Sequence, residues 1–121
     1  MKCIDRKINL SEQSLGIESS KIIGNIVERG GNSQLILSRN RLGDSGLSLL
    51  SRSVAKSNEL VYLDISNNSL TFRGIQALFH HLKQNYSLVE VNLASRHGPF
   101  KNIVGLLGAK AIATYFHQQG P

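Results

Sequence analysis

The chain has one cysteine, Cys3, in 121 residues. No internal disulfide can form, which favours a reducing compartment and sets the expectation of a cytoplasmic protein. No apolar run approaches the roughly 18 residues that a membrane span needs. The first stretch, Met1 to Leu10, alternates charged and apolar residues and has no signal-peptide core. The pattern Asn-x-Ser occurs at Asn9, Asn67 and Asn85. Such short patterns recur by chance and carry little weight without a secretory signal.

Patterns that carry chemistry are also missing. His80 and His81 are adjacent on an expected helix, so they point about 100° apart and make no two-ligand metal face. His97 and His117 are isolated. Gly105-Leu-Leu-Gly108-Ala-Lys110 lacks the spacing of a phosphate-binding loop. No serine, cysteine or threonine is marked as a nucleophile with an orienting base. The expectation is a non-enzyme with no cofactor and no metal.

The net charge of +6 invites a nucleic-acid reading. The basic residues are scattered, however, and the tightest groups are Arg6-Lys7 and Arg39 with Arg41. There is no Lys/Arg run and no interleaving of aromatic with basic residues, which argues against a single-strand binder. Hydrophobic residues make up 40% and charged residues 18%, as in a folded domain and unlike a disordered tail. A single domain of this length can bury roughly two-thirds of its unfolded surface.

What the sequence does have is a period. Leu60, Leu63, Ile65, Asn68, Leu70, Gly74, Leu78 and Leu82 form one unit. Moving back 28 residues brings Leu35, Leu37, Asn40, Leu42, Gly46, Leu50 and Val54 into register. Moving forward by the same step brings in Leu88, Val91 and Leu93. The last unit has Arg96 where asparagine is expected, but six extra residues within 94–101 restore the pattern at Asn102, Val104, Gly108, Ile112 and Phe116. A weaker copy, with Ile8, Leu10, Leu15, Ile23 and Val27, comes first. It has Gln13 for the asparagine and Ser19 for the glycine, as an atypical terminal unit does. The units run over about 5–31, 32–59, 60–87 and 88–118.

These residues resemble leucine-rich repeats of the long, ribonuclease-inhibitor-like subtype, whose pattern is Leu-x-x-Leu-x-Leu-x-x-Asn-x-Leu followed by glycine and a helix. The resemblance covers about Ile8 to Phe116. It implies an α/β leucine-rich-repeat solenoid of four strand–helix units, with a parallel sheet on the concave side and helices on the convex side. It also implies that the chain binds a protein partner through the concave face.

The residues give physical reasons for such a stack. Gln34–Leu37, Tyr62–Ile65 and Glu90–Leu93 alternate with period two, as strands do. A buried aliphatic side chain contributes on the order of 1.5–3 kcal/mol, but no single unit can bury its own face, so stability comes from neighbours. Asn40, Asn68 and Asn102 are expected to form a ladder, since an amide side chain can satisfy turning backbone with both donors and an acceptor. Helices are expected from each glycine onward, over about 19–28, 46–56, 74–84 and 108–118. Asn58 and Asn85 lie just past two of them, where a C-terminal turn is wanted.

Outward strand residues fall into two rows: Lys7, Gln34, Tyr62, Glu90 and Asn9, Ile36, Asp64, Asn92. Arg39, Arg41, Asn67 and Ser69 lie on the loops beyond. We expect partner contacts at Gln34, Ile36, Arg39, Tyr62, Asp64, Asn67, Glu90 and Asn92. Ile36 and Tyr62 are expected to be neighbours and to form a small hot spot; the bland alternative is that both are good strand residues. The insertion Ser95–Lys101 is a second candidate, in which Phe100 can serve either the core or a partner.

A different class of reading makes the chain a structural subunit of a larger assembly, cytoskeletal or ciliary. After Phe116 no further strand or polar cap is expected, so Val91, Leu93, Ile112 and Phe116 would form an apolar edge; either the chain is part of a longer repeat array, or that edge invites self-association or a neighbouring chain. An anion or RNA binder using the +6 charge and a GTPase-activating relative, with Arg39 and Asn67 as polar edge residues, are the remaining readings.

Overall fold

Segments of alternating polarity form the strands, and segments with apolar residues three and four apart form the helices. The computed structural model describes residues 6–95, 98 and 100–119, the last four without their side chains. Cys3, Arg96, His97, and the side chains of Phe116 and His117 lie outside the described residues.

In chain order the elements are β1 (Lys7–Asn9), α1 (Ile17–Arg29), β2 (Gln34–Ile36), α2 (Gly43–Lys56), β3 (Tyr62–Asp64), α3 (Phe72–His81), β4 (Glu90–Asn92) and α4 (Gly105–Gln119). A 3-10 turn at Leu82–Gln84 continues α3. The four strands form one parallel sheet in the order β1-β2-β3-β4. Each strand is followed by a helix, and α1, α2 and α3 each pack on the helix that comes next. The fold is therefore α/β. No described helix is long and apolar enough to cross a membrane.

The period of the sequence is the period of the sheet. Lys7 faces Gln34, Gln34 faces Tyr62, and Tyr62 faces Glu90. The backbone ladder continues past the three-residue strands: Leu10 N–H donates to Ile36 O, Leu37 N–H to Asp64 O, and Ile65 N–H to Asn92 O, at 2.9, 2.8 and 3.0 Å. Leu35, Leu37, Leu63 and Ile65 are consequently fully buried, together with Leu47, Leu50, Ile75 and Leu78 from α2 and α3. At about 1.5–3 kcal/mol for each such side chain, the two middle units hold most of the apolar stabilisation. Ile8, Leu10, Val91 and Leu93, at the two sheet edges, are only half-buried.

The helices begin two or three residues before the positions expected from the glycines. Gly46, Gly74 and Gly108 lie inside the first turns instead of opening them. Close contact between units explains Gly46 and Gly74. A Cβ on Gly74 would stand 2.5 Å from Asp44 Oδ1 and 3.2 Å from Asp44 Cα, across the α2–α3 junction. One on Gly108 would stand 2.6 Å from Val104 Cγ1 of its own unit and 3.5 Å, an ordinary contact, from Phe72 Cα of the unit before. Gly46 and Gly74 mark where one helix crosses close to the start of the one before it.

Candidate functional site

The solvent face of the sheet carries both expected rows in register. Gln34, Tyr62 and Glu90 align across β2, β3 and β4, and Ile36, Asp64 and Asn92 align beside them. Ile36 is directly opposite Asp64, so it lies diagonal to Tyr62 and not beside it as expected. The reason is that residues of the same row pair across parallel strands, and these two belong to different rows.

The second row also has a local task. Ser11 N–H and Oγ–H donate to Asn9 Oδ1 at 3.1 and 2.8 Å. Ser66 N–H and Oγ–H donate to Asp64 Oδ1 at 2.9 and 2.7 Å. Ala94 N–H donates to Asn92 Oδ1 at 3.0 Å. These side chains turn the chain out of the strand, in the manner of Asx turns. Ile36 cannot do this, and there Ser38 Oγ–H donates to Ser11 Oγ at 2.8 Å instead. The turns then pass through left-handed backbone at Glu12, Arg39 and Asn67, with φ of 58°, 57° and 53°.

Past the strand ends lies a polar hollow of about 290 Å³, lined by Ser38, Arg39, Asp64, Ser66, Asn92 and the buried Asn67. Four expected residues thus meet: Arg39, Asp64, Asn67 and Asn92. Gln34, Ile36, Tyr62 and Glu90 stand on the sheet outside it. Arg39 also reaches Glu12 at 3.4 Å, with both side chains about half exposed or more. Such a pair contributes about 1 kcal/mol at most. Asn67 departs from the outward placement expected of it. It is 8% exposed, because its turn is tied down by its N–H donating to Ala94 O at 3.1 Å. The hollow can hold hydrogen-bonding groups of either kind.

Beneath these turns the three asparagines form a directional chain of hydrogen bonds. Asn40 Oδ1 accepts from Gln13 N–H and Leu15 N–H, both at 3.0 Å. Asn68 Oδ1 accepts from Leu42 N–H at 3.3 Å. Asn102 Oδ1 accepts from Asn68 N–H and Leu70 N–H at 2.8 and 3.0 Å. Their Nδ2 groups donate backward to Leu10 O, Leu37 O and Ile65 O. Each asparagine therefore satisfies backbone of the unit before it. The insertion does not break the chain: Ser69 N–H donates to Phe100 O at 2.9 Å. Phe100 is half-buried, with the Arg41 guanidinium 5.2 Å from its ring centre. It therefore packs at the surface under a cation and not in the core.

Two polar anchors tie neighbouring units together; Asp44 escapes the sequence reading, and Asn85 enters it only as a residue of a helix-ending turn. Asp44, in the first turn of α2, accepts from Thr71 N–H, Thr71 Oγ1–H and Gly74 N–H. It caps α3 from the neighbouring unit. Asn85 is buried and donates to Val54 O, Ala55 O and Ser57 O at the end of α2, while its Oδ1 accepts from Ser87 N–H and Leu88 N–H. Ser57 Oγ holds Glu59 N–H and Leu60 N–H in the same way. The signal for this second ladder was present: Ser57 and Asn85 are 28 residues apart, each three before a buried or half-buried leucine.

The other notable surface is the end of the stack at β4 and α4. The outer edge of β4 pairs with no strand among the described residues. An apolar groove of about 170 Å³ opens there between Leu88, Val91, Leu93, Ile112 and Tyr115. Val89 and Tyr86 beside it are 83% and 86% exposed. Tyr115 packs on Phe79 with ring centres 5.0 Å apart, and partial burial, with Tyr86 adding, raises its phenol above the usual range. Elsewhere, burial lowers the His81 pKa, with His80 and Arg52 adding. The Ser53 hydroxyl lowers that of Glu28, with Lys56 adding.

No protein-family model matches the sequence. Among solved structures, the chain is similar to the leiomodin-1 actin-binding site 2, with a TM-score of 0.79 and 21% identity. The match covers 93% of this chain and 64% of that one, so the chain spans a little under two-thirds of that structure. At this identity the likeness is one of fold.

Proposed function

We propose that the chain is a segment of leucine-rich-repeat solenoid that works without catalysis, as a protein-binding subunit of a cytoskeletal assembly. One observation carries this: the apolar end at β4 and α4. Val91 and Leu93 are half-buried where Leu35, Leu37, Leu63 and Ile65 are fully buried, and Val89 and Tyr86 stand in solvent beside them. An apolar patch of this kind, next to a bare strand edge, suits an interaction site. The constant register and the asparagine ladder support the repeat reading. The likeness to an actin-binding site supports filamentous actin as the first partner to try. Co-sedimentation tests it. The wild-type chain is expected to pellet with actin filaments, and Val89→Asp is expected to lower the pelleted fraction about tenfold or more with an unchanged circular dichroism spectrum. No pelleting of the wild type, or equal pelleting of both, would defeat the reading.

A second reading places recognition on the sheet face. The meeting of Arg39, Asp64 and Asn92 in one hollow favours it, with Tyr62 and Ile36 as the apolar contribution nearby. Tyr62 is half-buried, so Tyr62→Ala removes contact area without opening the core. On this reading it costs about 1–2 kcal/mol of partner affinity by calorimetry. Unchanged affinity in a folded variant would leave the end of the stack as the binding surface.

A further inference from the structure

The two edges of the sheet are complementary in the register that the sheet itself uses. We propose that a second copy of this chain docks head to tail on the open end, with its β1 edge pairing in parallel with β4. The proposal rests on the reading that the β4–α4 end is an interaction surface, and it names the occupant.

Within the chain, each step along the sheet pairs a residue with its counterpart 27 or 28 positions on. Continuing that register beyond β4 with β1 of another copy places Lys7 opposite Glu90, Ile8 opposite Val91, and Asn9 beside Asn92. Lys7 and Glu90 are both exposed and of opposite charge. Ile8 and Leu10 on one edge, and Val91 and Leu93 on the other, are half-buried apolar residues that, among the described residues, lack the second neighbouring strand their counterparts have. The pairing would give each of them that neighbour.

The asparagine chain points the same way. The amides of residues 13 and 15 bond to Asn40, and those of 68 and 70 bond to Asn102. The corresponding amides of the last unit are Asn102 N–H and Val104 N–H, and no described asparagine lies beyond them. What they call for is a carboxamide oxygen arriving on a parallel strand. The β1 end carries a carboxamide at the ladder position: Gln13, exposed, with its Nε2 donating to Ser11 O at 3.2 Å. The helices agree. Ala109 on α4 is exposed at the position where α1, α2 and α3 bury Ser20, Leu47 and Ile75. On the opposite side, Ile22 of α1 is 64% exposed, where the following helices half-bury Leu49, Ala77 and Ala111. A contact that joins unlike surfaces and does not close on itself makes chains longer than two.

Sedimentation velocity over a range of concentrations, under reducing conditions, tests this. The wild type is expected to form dimers and longer species as concentration rises. Glu90→Lys and Lys7→Glu each set like charges opposite one another and are expected to weaken association roughly tenfold. An equimolar mixture of the two is expected to restore it, since each new charge then meets its opposite. Gln13→Ala is expected to weaken association and Gln13→Asn to retain it. A wild type that stays a single-chain species up to millimolar concentration overturns the proposal. So does association that is indifferent to these substitutions, or not rescued by mixing, because the copies would then not meet in this register. A monomeric wild type that still pellets with actin filaments defeats the self-docking alone. A self-associating chain that ignores actin defeats the actin reading alone.

Discussion

The side chain of Asn68 is fully buried and all of its hydrogen bonds run to backbone. Its Oδ1 accepts from Leu42 N–H, and its Nδ2 donates to Leu37 O and Ser66 O. Asn68→Leu would keep the branched shape and leave Leu42 N–H without its acceptor, while Leu37 O keeps the Asn40 Nδ2 donor and Ser66 O keeps Arg39 N–H. At about 1–3 kcal/mol for a stranded group, the variant is expected to lose about 1–3 kcal/mol in urea unfolding. Asn58 is exposed, and Asn58→Leu is expected to change stability by about 0.5 kcal/mol or less. A loss below about 1 kcal/mol for Asn68→Leu would mean that the turn can reach water or rearrange. The difference between Asn58 and Asn68 was legible in the sequence, because only Asn68 has counterparts at Asn40 and Asn102. The placement of Asn67 was not. One residue away from the ladder, its burial is set by the turn above it and by Ala94 of the next unit, which no local pattern encodes.

At the level of elements, the helices owe their starting points to their neighbours. Thr71 precedes α3, and its Oγ1 accepts from Arg73 N–H at 3.3 Å. The stronger cap comes from Asp44 of α2, which takes the Thr71 and Gly74 amides at 2.8 and 3.0 Å. The absence of a Cβ at residue 74 leaves room for that carboxylate. An ordinary glycine-to-alanine change inside a helix stabilises by about 1 kcal/mol. Gly74→Ala should do the opposite and destabilise by about 1–3 kcal/mol, since the new methyl displaces the cap. Asp44→Ala should lose the cap by itself, so the double variant should be more stable than the two single losses would sum to. A stabilising Gly74→Ala would sink this account. The glycines were readable from the sequence, but as the first residues of helices. Why Gly74 stands inside the first turn depends on Asp44, 30 positions earlier, which has no periodic copy. The strands were read closely for the converse reason: pairing between β1, β2, β3 and β4 uses one register throughout, which the period reports directly.

Over the whole molecule, stability should grade along the stack, because each unit is held by the units beside it. The middle has neighbours on both sides, and there Leu47 and Leu50 of α2 and Ile75 and Leu78 of α3 are fully buried. On α4 the best-packed described apolar side chains, Ile112 and Tyr115, are only half-buried, while Leu106 and Leu107 face solvent. The helix is tied to the rest by the α3 contact and by Asn102. Local openings draw on the least-buried contacts first. In native-state hydrogen exchange at low concentration, amides of α4 are expected to exchange well before those of α2 and α3, with an opening free energy lower by about 2–4 kcal/mol. Covering the end should remove the difference. At concentrations where copies stack on β4 and α4, protection of α4 is expected to rise, while that of α2, already enclosed, stays at the global value. Equal exchange of α2 and α4 at low concentration would show that the molecule opens only as one unit. The apolar end would then be as firmly held as the middle, and a partner would add contact area there without adding order.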